Sequence, residues 1–290
     1  MDDRTDRLAE ARALYARMMA AVSQSSDPRL ERIFELVPRE AFLPPGPWHV
    51  LIGQRYVETP SADPAHLYQN TLVALDAARG INNGEPFLHA AWIGAVAPRP
   101  GETVIHIGAG AGYYTAILSM LVLPGGTVLA YEIDAQLAEA ARRNLEPFDN
   151  VTLIHTDAVK AKLKRSDIIY VNAGVVAPPA RWLQSLKQGG RIIFPWRPTP
   201  KIGLALMAAR SRAGFSVRIV GTSWFIPCSG ASDEAMNLKA PSQTEAWKSR
   251  SIVLSSERAP DETATAVYPE LWFSSEPVGV LATDQPSRGG

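Results

Sequence analysis

The apolar run Thr103-Val104-Ile105-His106-Ile107 passes without a spacer into Gly108-Ala109-Gly110-Ala111-Gly112, and a helical stretch opens at Tyr113. Glycine at alternate positions lets the backbone turn tightly and lets a ligand lie close against the main chain. The helix beyond offers unpaired N–H groups at its first turn. A buried strand feeding a helix through such a turn is the opening of a parallel β-α-β arrangement. The rest of the middle of the chain follows that grammar. Helix Tyr113 to Leu123 leads through Gly125-Gly126 to strand Thr127 to Tyr131, then helix Ala135 to Leu145 and strand Val151 to His155. A fourth strand is expected at Asp167 to Val171, a helix at Ala180 to Leu186, and a fifth strand at Arg191 to Phe194.

A glycine turn alone is common in strand–helix loops, so the next two strand ends matter. The second strand ends Tyr131-Glu132-Ile133-Asp134, with Glu132 twenty residues past Gly112. A carboxylate there can accept from both hydroxyls of an adenosine ribose. The third strand ends His155-Thr156-Asp157-Ala158, where Asp157 can accept from the exocyclic amine of an adenine ring. The dinucleotide fingerprint is spaced G-x-G-x-x-G, whereas here the third glycine comes one residue early. That spacing resembles the first motif of the Rossmann-like methyltransferases and points to S-adenosyl-L-methionine, with an NAD-dependent enzyme as the secondary reading. The expected fold class is therefore α/β: a Rossmann-like, mostly parallel sheet with an antiparallel edge hairpin, N-terminal helices and a C-terminal extension.

Outside that core, Leu8, Ala11, Tyr15, Met18 and Val22 recur at helical spacing and predict an amphipathic helix over Asp6 to Val22. Asp27-Pro28 predicts the start of a second helix, with Leu30, Ile33, Phe34 and Val37 as its buried side. Ile202 to Ala208 and Phe215 to Trp224 predict the edge hairpin. After Gly230 the composition turns polar, except for Ala266 to Phe273, whose aromatics are expected to pack back onto the body. The end, Thr283 to Gly290, reads as disordered. The organisation read from these shifts is a helical cap over 1–60, a cofactor-binding domain over 61–230 and an extension over 231–290.

Composition narrows the partners. Twenty-nine basic residues balance twenty-nine acidic ones, which gives no basic excess for nucleic acid. No apolar run reaches the roughly 18 residues of a spanning helix, and the opening Met1-Asp2-Asp3-Arg4 lacks a signal peptide's apolar core. A soluble cytoplasmic protein without membrane or nucleic-acid partners is expected. Cys228 is the single cysteine; it excludes an intramolecular disulfide and a multi-cysteine metal cluster, and reads as a small buried apolar group. No metal site is expected.

With these residues in hand, the chain resembles the protein L-isoaspartyl O-methyltransferase family from about Val37 to Ser229. Val37-Pro38-Arg39-Glu40-Ala41-Phe42-Leu43-Pro44 is similar to that family's Val-x-Arg-x-x-Phe-Val-Pro, and Gly101 to Tyr113 to its Pro-Gly-x-x-Val-Leu-Glu-Ile-Gly-Thr-Gly-Ser-Gly-Tyr block. Asp167-Ile168-Ile169-Tyr170-Val171-Asn172-Ala173 resembles Asp-x-Ile-x-Val-Thr-Ala, and Leu186 to Pro195 resembles Leu-Lys-x-Gly-Gly-Arg-Leu-Val-x-Pro. Phe225-Ile226-Pro227 is similar to its late Phe-Val-Pro. The resemblance implies carboxyl O-methylation of isoaspartyl residues in proteins or peptides. It implies a cofactor site made of His106, Gly108, Ala109, Gly110, Gly112, Tyr113, Glu132, Ile133, Asp157, Ala158 and Asn172. Two positions depart from it. The family's Gly-Gln-Thr-Ile-Ser-x-Pro loop, whose serine lies by the transferring methyl, corresponds to Gly80-Ile81-Asn82-Asn83-Gly84-Glu85-Pro86, so Gly84 stands for the serine. Asn82, Asn83 and Gly84 are the candidate catalytic loop, with Asn82 or Asn83 supplying a substitute hydrogen bond. His106 stands for a glutamate that arranges the glycine turn and the methionine end of the cofactor; a packing role is the alternative.

A carboxylate acceptor is already ionised at neutral pH, so no general base is required, and alignment and exclusion of water are what remain for the protein. Candidates for the acceptor pocket are Pro60-Ser61, Asn82-Asn83 and Trp196, with His66, Tyr68 and His89 behind them. The competing readings are a methyltransferase acting on another peptide carboxylate or a small-molecule acid, and a non-catalytic cofactor-binding module.

Overall fold

The computed structural model describes residues 3–279, so the expectation for Thr283 to Gly290 lies outside the described residues. The chain divides into two compact units, residues 1–173 and 174–290.

The first unit opens with helices α1 (Asp3–Ser23) and α2 (Leu30–Leu36). The buried stripe of α1 is Tyr15, Ala16, Met19 and Ser23. That is one position round from the expected face: Tyr15 is shared, while Met18 and Val22 are only half-buried. α2 begins at Leu30 rather than at Pro28, because the Asp27 carboxylate accepts the Arg29 N–H at 2.9 Å and pairs with its guanidinium, forming a turn ahead of the helix. Two small hairpins follow, β1 (His49–Ile52) with β2 (Arg55–Glu58) and β3 (Ala74–Asp76) with β4 (Ile81–Asn82). Helix α3 (Pro86–Val96) packs against α1 so closely that a Cβ on Gly94 would stand 1.8 Å from the Ser23 carbonyl oxygen.

The parallel sheet of this unit consists of β5 (Thr103–Ile107), β6 (Thr127–Glu132), β7 (Val151–His155) and β8 (Ser166–Val171). They lie in the order β8-β5-β6-β7, every pair parallel. β5, β6 and β8 are buried along almost their whole length, as continuous apolar strands require, and the outer β7 is half-exposed. Helix α4 (Tyr113–Leu121) joins β5 to β6, and α5 (Ala135–Asn144) joins β6 to β7. The start of α5 is fixed by Asp134, whose carboxylate accepts from Gln136 and Leu137 N–H at 2.9 and 3.0 Å. Its end carries Arg142 and Arg143, favourable against the helix dipole. Chain order runs outward from β5 to β7 and then returns to β8, so the switch point lies at the carboxyl ends of β5 and β8, where open α/β sheets bind ligands.

The second unit holds α6 (Ala180–Ser185), α7 (Gln243–Lys248) and six antiparallel strands. These are β9 (Leu186–Thr199), β10 (Ile202–Ser211), β11 (Gly214–Thr222), β12 (Ser251–Leu254), β13 (Ala264–Val267) and β14 (Leu271–Ser274). Their order is β13-β14-β12-β11-β10-β9. The expected hairpin is present as β10 and β11, and β9 runs well beyond Arg191 to Phe194 in both directions. Ala266 to Phe273 falls largely in β13 and β14 of this unit's sheet, and the polar stretch also supplies β12 and the capped helix α7. Several of their polar residues are buried and hydrogen-bonded, among them Thr265 with Ser249 at 2.8 Å and Ser274 with Thr263 at 2.7 Å, and Trp272 and Phe273 are fully buried. Cys228 is buried.

Candidate functional site

Gly108, Gly110 and Gly112 all have left-handed backbones, with φ of 75°, 58° and 98°. At Gly112 a Cβ would also stand 2.9 Å from Leu145, so only glycine fits there. The Gly108 and Ala109 N–H groups both donate to the Tyr131 carbonyl, at 2.9 and 3.1 Å, drawing the turn towards the end of β6. Ala109 is itself buried.

Glu132 ends β6 with its carboxylate turned onto that turn. One oxygen accepts the Gly110 N–H at 2.7 Å; the other accepts Ile133 and Asp134 N–H at 2.9 Å each. The side chain is 5% exposed. Burial pushes its pKa above the usual carboxylate value, against the pull of the three backbone N–H groups. Ile133 beside it presents an apolar surface at 48% exposure. Asp157, beyond β7, accepts the Val159 N–H at 2.9 Å and pairs with Lys160 at 3.4 Å, with Ala158 buried next to it. Thr156 N–H donates to the Glu132 carbonyl at 2.9 Å, stitching these two strand ends together. The β3–β4 hairpin lies over the turn: Leu75 Cδ1 is 3.6 Å from where a Gly110 Cβ would be, and Arg79 pairs with Asp134.

Under the turn is a relay in which His106 and Thr115 are fully buried and Asn172 is half-buried. His106 Nδ1 is 2.8 Å from the Thr115 hydroxyl and its Nε2 is 2.9 Å from Asn172 Nδ2. An amide nitrogen donates, so Nε2 is the acceptor and Nδ1 carries the proton. Burial lowers the His106 pKa to about 3, keeping the ring neutral. Asn172 follows β8, its N–H donating to the Ile107 carbonyl at 2.8 Å, and it lies against Gly108. Its Oδ1 is buried without a hydrogen-bond partner. Tyr113 differs from the other expected cofactor residues: its side chain runs into the core, with its hydroxyl 3.3 Å from that of Tyr15, so only its backbone borders the turn.

In the loop carrying Asn82, Asn83 and Gly84, Asn82 Oδ1 accepts the Gly84 N–H at 3.0 Å. Asn83 exchanges two bonds with Val73, its N–H to the Val73 carbonyl at 3.0 Å and Val73 N–H to its Oδ1 at 3.1 Å. Gly84 has φ 79°, and a Cβ on it would stand 2.3 Å from His89 Nε2 and 3.2 Å from Tyr114. His89 is buried, stacked on Tyr114 at 3.7 Å between centroids, with Nδ1 2.9 Å from the Tyr170 hydroxyl. The imidazole thus fills the space that a side chain at position 84 would take. Pro60 and Ser61 are exposed, and Ser61 Oγ is 3.3 Å from His66 Nε2. Tyr68 is bound up with Arg12 and Glu40. Trp196 is fully buried in the second unit, bonded to Val176 O and the Tyr268 hydroxyl and stacked on Phe273; those contacts make it a packing residue. Sequence reasoning passed over Thr115 and Tyr170 as partners of the two histidines, since neither carries a motif of its own. In the sequence Arg39 stands out only as one residue of the Val37 to Pro44 resemblance.

The order of these features along the chain matches a known family. The model of the Protein-L-isoaspartate(D-aspartate) O-methyltransferase (PCMT) family matches residues 24–233. The chain belongs to that family. It is 32% identical over 164 residues to the protein-L-isoaspartate O-methyltransferase of Methanopyrus kandleri, a region covering 55% of this chain and 65% of that protein. It is 27% identical over 230 residues to the one of Pelotomaculum thermopropionicum, covering 79% and 92%. Among solved structures, a protein-L-isoaspartate O-methyltransferase superposes with a TM-score of 0.64 at 22% identity, over 83% of this chain and 73% of that one. The Plasmodium falciparum protein described as a putative member, in complex with S-adenosyl-L-homocysteine, gives 0.58 at 17% identity, over 74% and 97%. At those identities the superpositions establish the fold, that of the Rossmann-like methyltransferases. No helix among the described residues is long and apolar enough to cross a membrane.

Proposed function

We propose that the protein is an S-adenosyl-L-methionine-dependent carboxyl O-methyltransferase acting on isoaspartyl residues of proteins or peptides. The observation that carries this reading is the bond from the Gly110 N–H to the Glu132 carboxylate. It brings the glycine turn and the second strand's acid to one point, the arrangement an adenosine needs. The residues present fit the cofactor. Glu132 would accept from the ribose hydroxyls, Ile133 would lie against the adenine, and Asp157 would take its amine. The buried, unpartnered Asn172 Oδ1 suits the ammonium of the methionine end. When bound, the cofactor supplies an electrophilic methyl group. The loop over 80–86 then has to hold an ionised carboxylate in line and dry, without taking a proton from it. Membership of the family supports this acceptor, and a cytoplasmic setting accords with a single, buried cysteine.

Labelled methyl from S-adenosylmethionine, offered with an isoaspartyl peptide and its aspartyl twin, tests the reading. Transfer to the first alone is expected. Cofactor binding with transfer to neither peptide would move the assignment to another carboxylate acceptor.

A further inference from the structure

The two asparagines of the 80–86 loop use their amides differently. Asn82 turns Oδ1 back on Gly84, a contact within the loop. Asn83 Oδ1 accepts the Val73 N–H at 3.1 Å and faces Nη2 of Arg39 at 3.5 Å. Both neighbours are obligatory donors, so the amide has one orientation, and Nδ2 is the end left over. That Nδ2 is buried and has no hydrogen-bond partner.

Arg39 makes the second, independent observation. It is fully buried. Its guanidinium donates to the carbonyls of Leu67, Gln69 and Thr71 and lies over the rings of Tyr15 and Tyr113. Among the described residues no aspartate or glutamate pairs with it. Buried cations are ordinarily matched by an anion, because desolvation is otherwise uncompensated. An unmatched positive charge and an unused N–H donor therefore meet at one amide, and an anionic oxygen complements both.

Resting on the carboxylate-acceptor reading above, we infer that Asn83 Nδ2 is the hydrogen-bond donor to the acceptor carboxylate, and that Arg39 is the positioning residue that sets this amide. The role is binding and orientation; the proton stays on nitrogen. Arg39 leaves its charge to the acceptor, which favours a carboxylate over the corresponding amide.

Asn83→Asp separates this role from a structural one. It keeps an oxygen for Val73 and an acceptor for Arg39, while removing the donor and pairing the Arg39 charge, the two features that the acceptor carboxylate would use. Its melting temperature is expected to equal or exceed that of the wild type, with affinity for S-adenosylhomocysteine within twofold. Calorimetric affinity of the S-adenosylhomocysteine-loaded protein for an isoaspartyl peptide should fall tenfold or more. The preference over the amide form of the same peptide should be lost. Arg39→Lys, which keeps charge but not the fork, should raise the peptide KM severalfold and leave the cofactor KM alone. Should Asn83→Asp not fold, Asn83→Ala is read in the same two titrations, and a selective loss for peptide supports the assignment. Equal peptide affinity in wild type and variant overturns it, as does absence of peptide binding by the wild type. Wild-type peptide binding without methyl transfer sinks the functional reading instead, leaving the comparison of variants intact.

Discussion

Glu132 and His106 show how burial sets the working charge of single residues here. In its proposed role Glu132 has to be ionised to accept hydrogen bonds from the two ribose hydroxyls, yet burial raises its pKa. Cofactor affinity is therefore expected to be full at neutral pH and to decline on acidification sooner than an ordinary carboxylate would allow, which a pH series of calorimetric titrations would read. Glu132→Ala removes charge-assisted bonds of about 1.5–3 kcal/mol each, so cofactor affinity should drop a hundredfold or more with the fold retained. Unchanged affinity would refute the ribose assignment. His106 acts on stability. Its folded pKa, about 3, lies below its ordinary 6.5, so below pH 6.5 the unfolded chain binds a proton that the folded chain refuses. Stability is then complete above pH 6.5 and is lost towards pH 3, at about 1.4 kcal/mol per pH unit for one proton. Urea midpoints between pH 4 and 7 should show this slope, steepened by His89, whose pKa is lowered in the same direction. His106→Gln should flatten it by one proton; an identical slope would count against the buried relay.

At the scale of elements, the loop between β4 and α3 is shaped by what α3 and α4 put beneath it. Gly84 is not an empty serine position. The imidazole of His89, held by Tyr114 and Tyr170, stands where the serine's side chain would be. Restoring the residue as Gly84→Ser is thus expected to destabilise by about 1–3 kcal/mol through overpacking, with further strain from the positive φ. It should give no gain in methyl transfer. His89→Ala makes room, so the double variant should be less destabilised than the sum of the two single ones, a coupling of about 1 kcal/mol or more. Strict additivity in denaturant unfolding would show that the two positions do not compete for space.

For the whole molecule, the family match ends at residue 233, whereas the sheet of the second unit continues to Ser274. The added strands are integral to that unit: β12 pairs with β11, and Phe273 stacks on Trp196 at 4.4 Å between centroids. Burial of aromatics such as Trp272 and Phe273 contributes roughly 4–6 kcal/mol each before entropy is counted. A chain truncated at residue 240 should accordingly expose Trp196 and the free edge of β11 and be recovered as aggregate. A soluble, monomeric truncation with a cooperative melt would contradict this.

The sequence by itself determined the parallel core, its glycine turn and its two strand-end acids, because those depend on local patterns: continuous apolar runs for buried strands, glycine where φ is positive, a carboxylate at the next strand's end. It also showed which loop departs from the family. Only the tertiary structure decided what the departures mean. A histidine five residues along the chain fills the room beside Gly84, an asparagine after β8 and a threonine in α4 hold the two ring nitrogens of His106, and an arginine from the segment after α2 fixes Asn83. The strand β12 in the polar extension was equally unreadable, since its burial comes from partners across the sheet and not from an alternation of its own. Each of these pairings joins residues by volume and hydrogen-bond geometry, and such complementarity has no periodic signature along a chain.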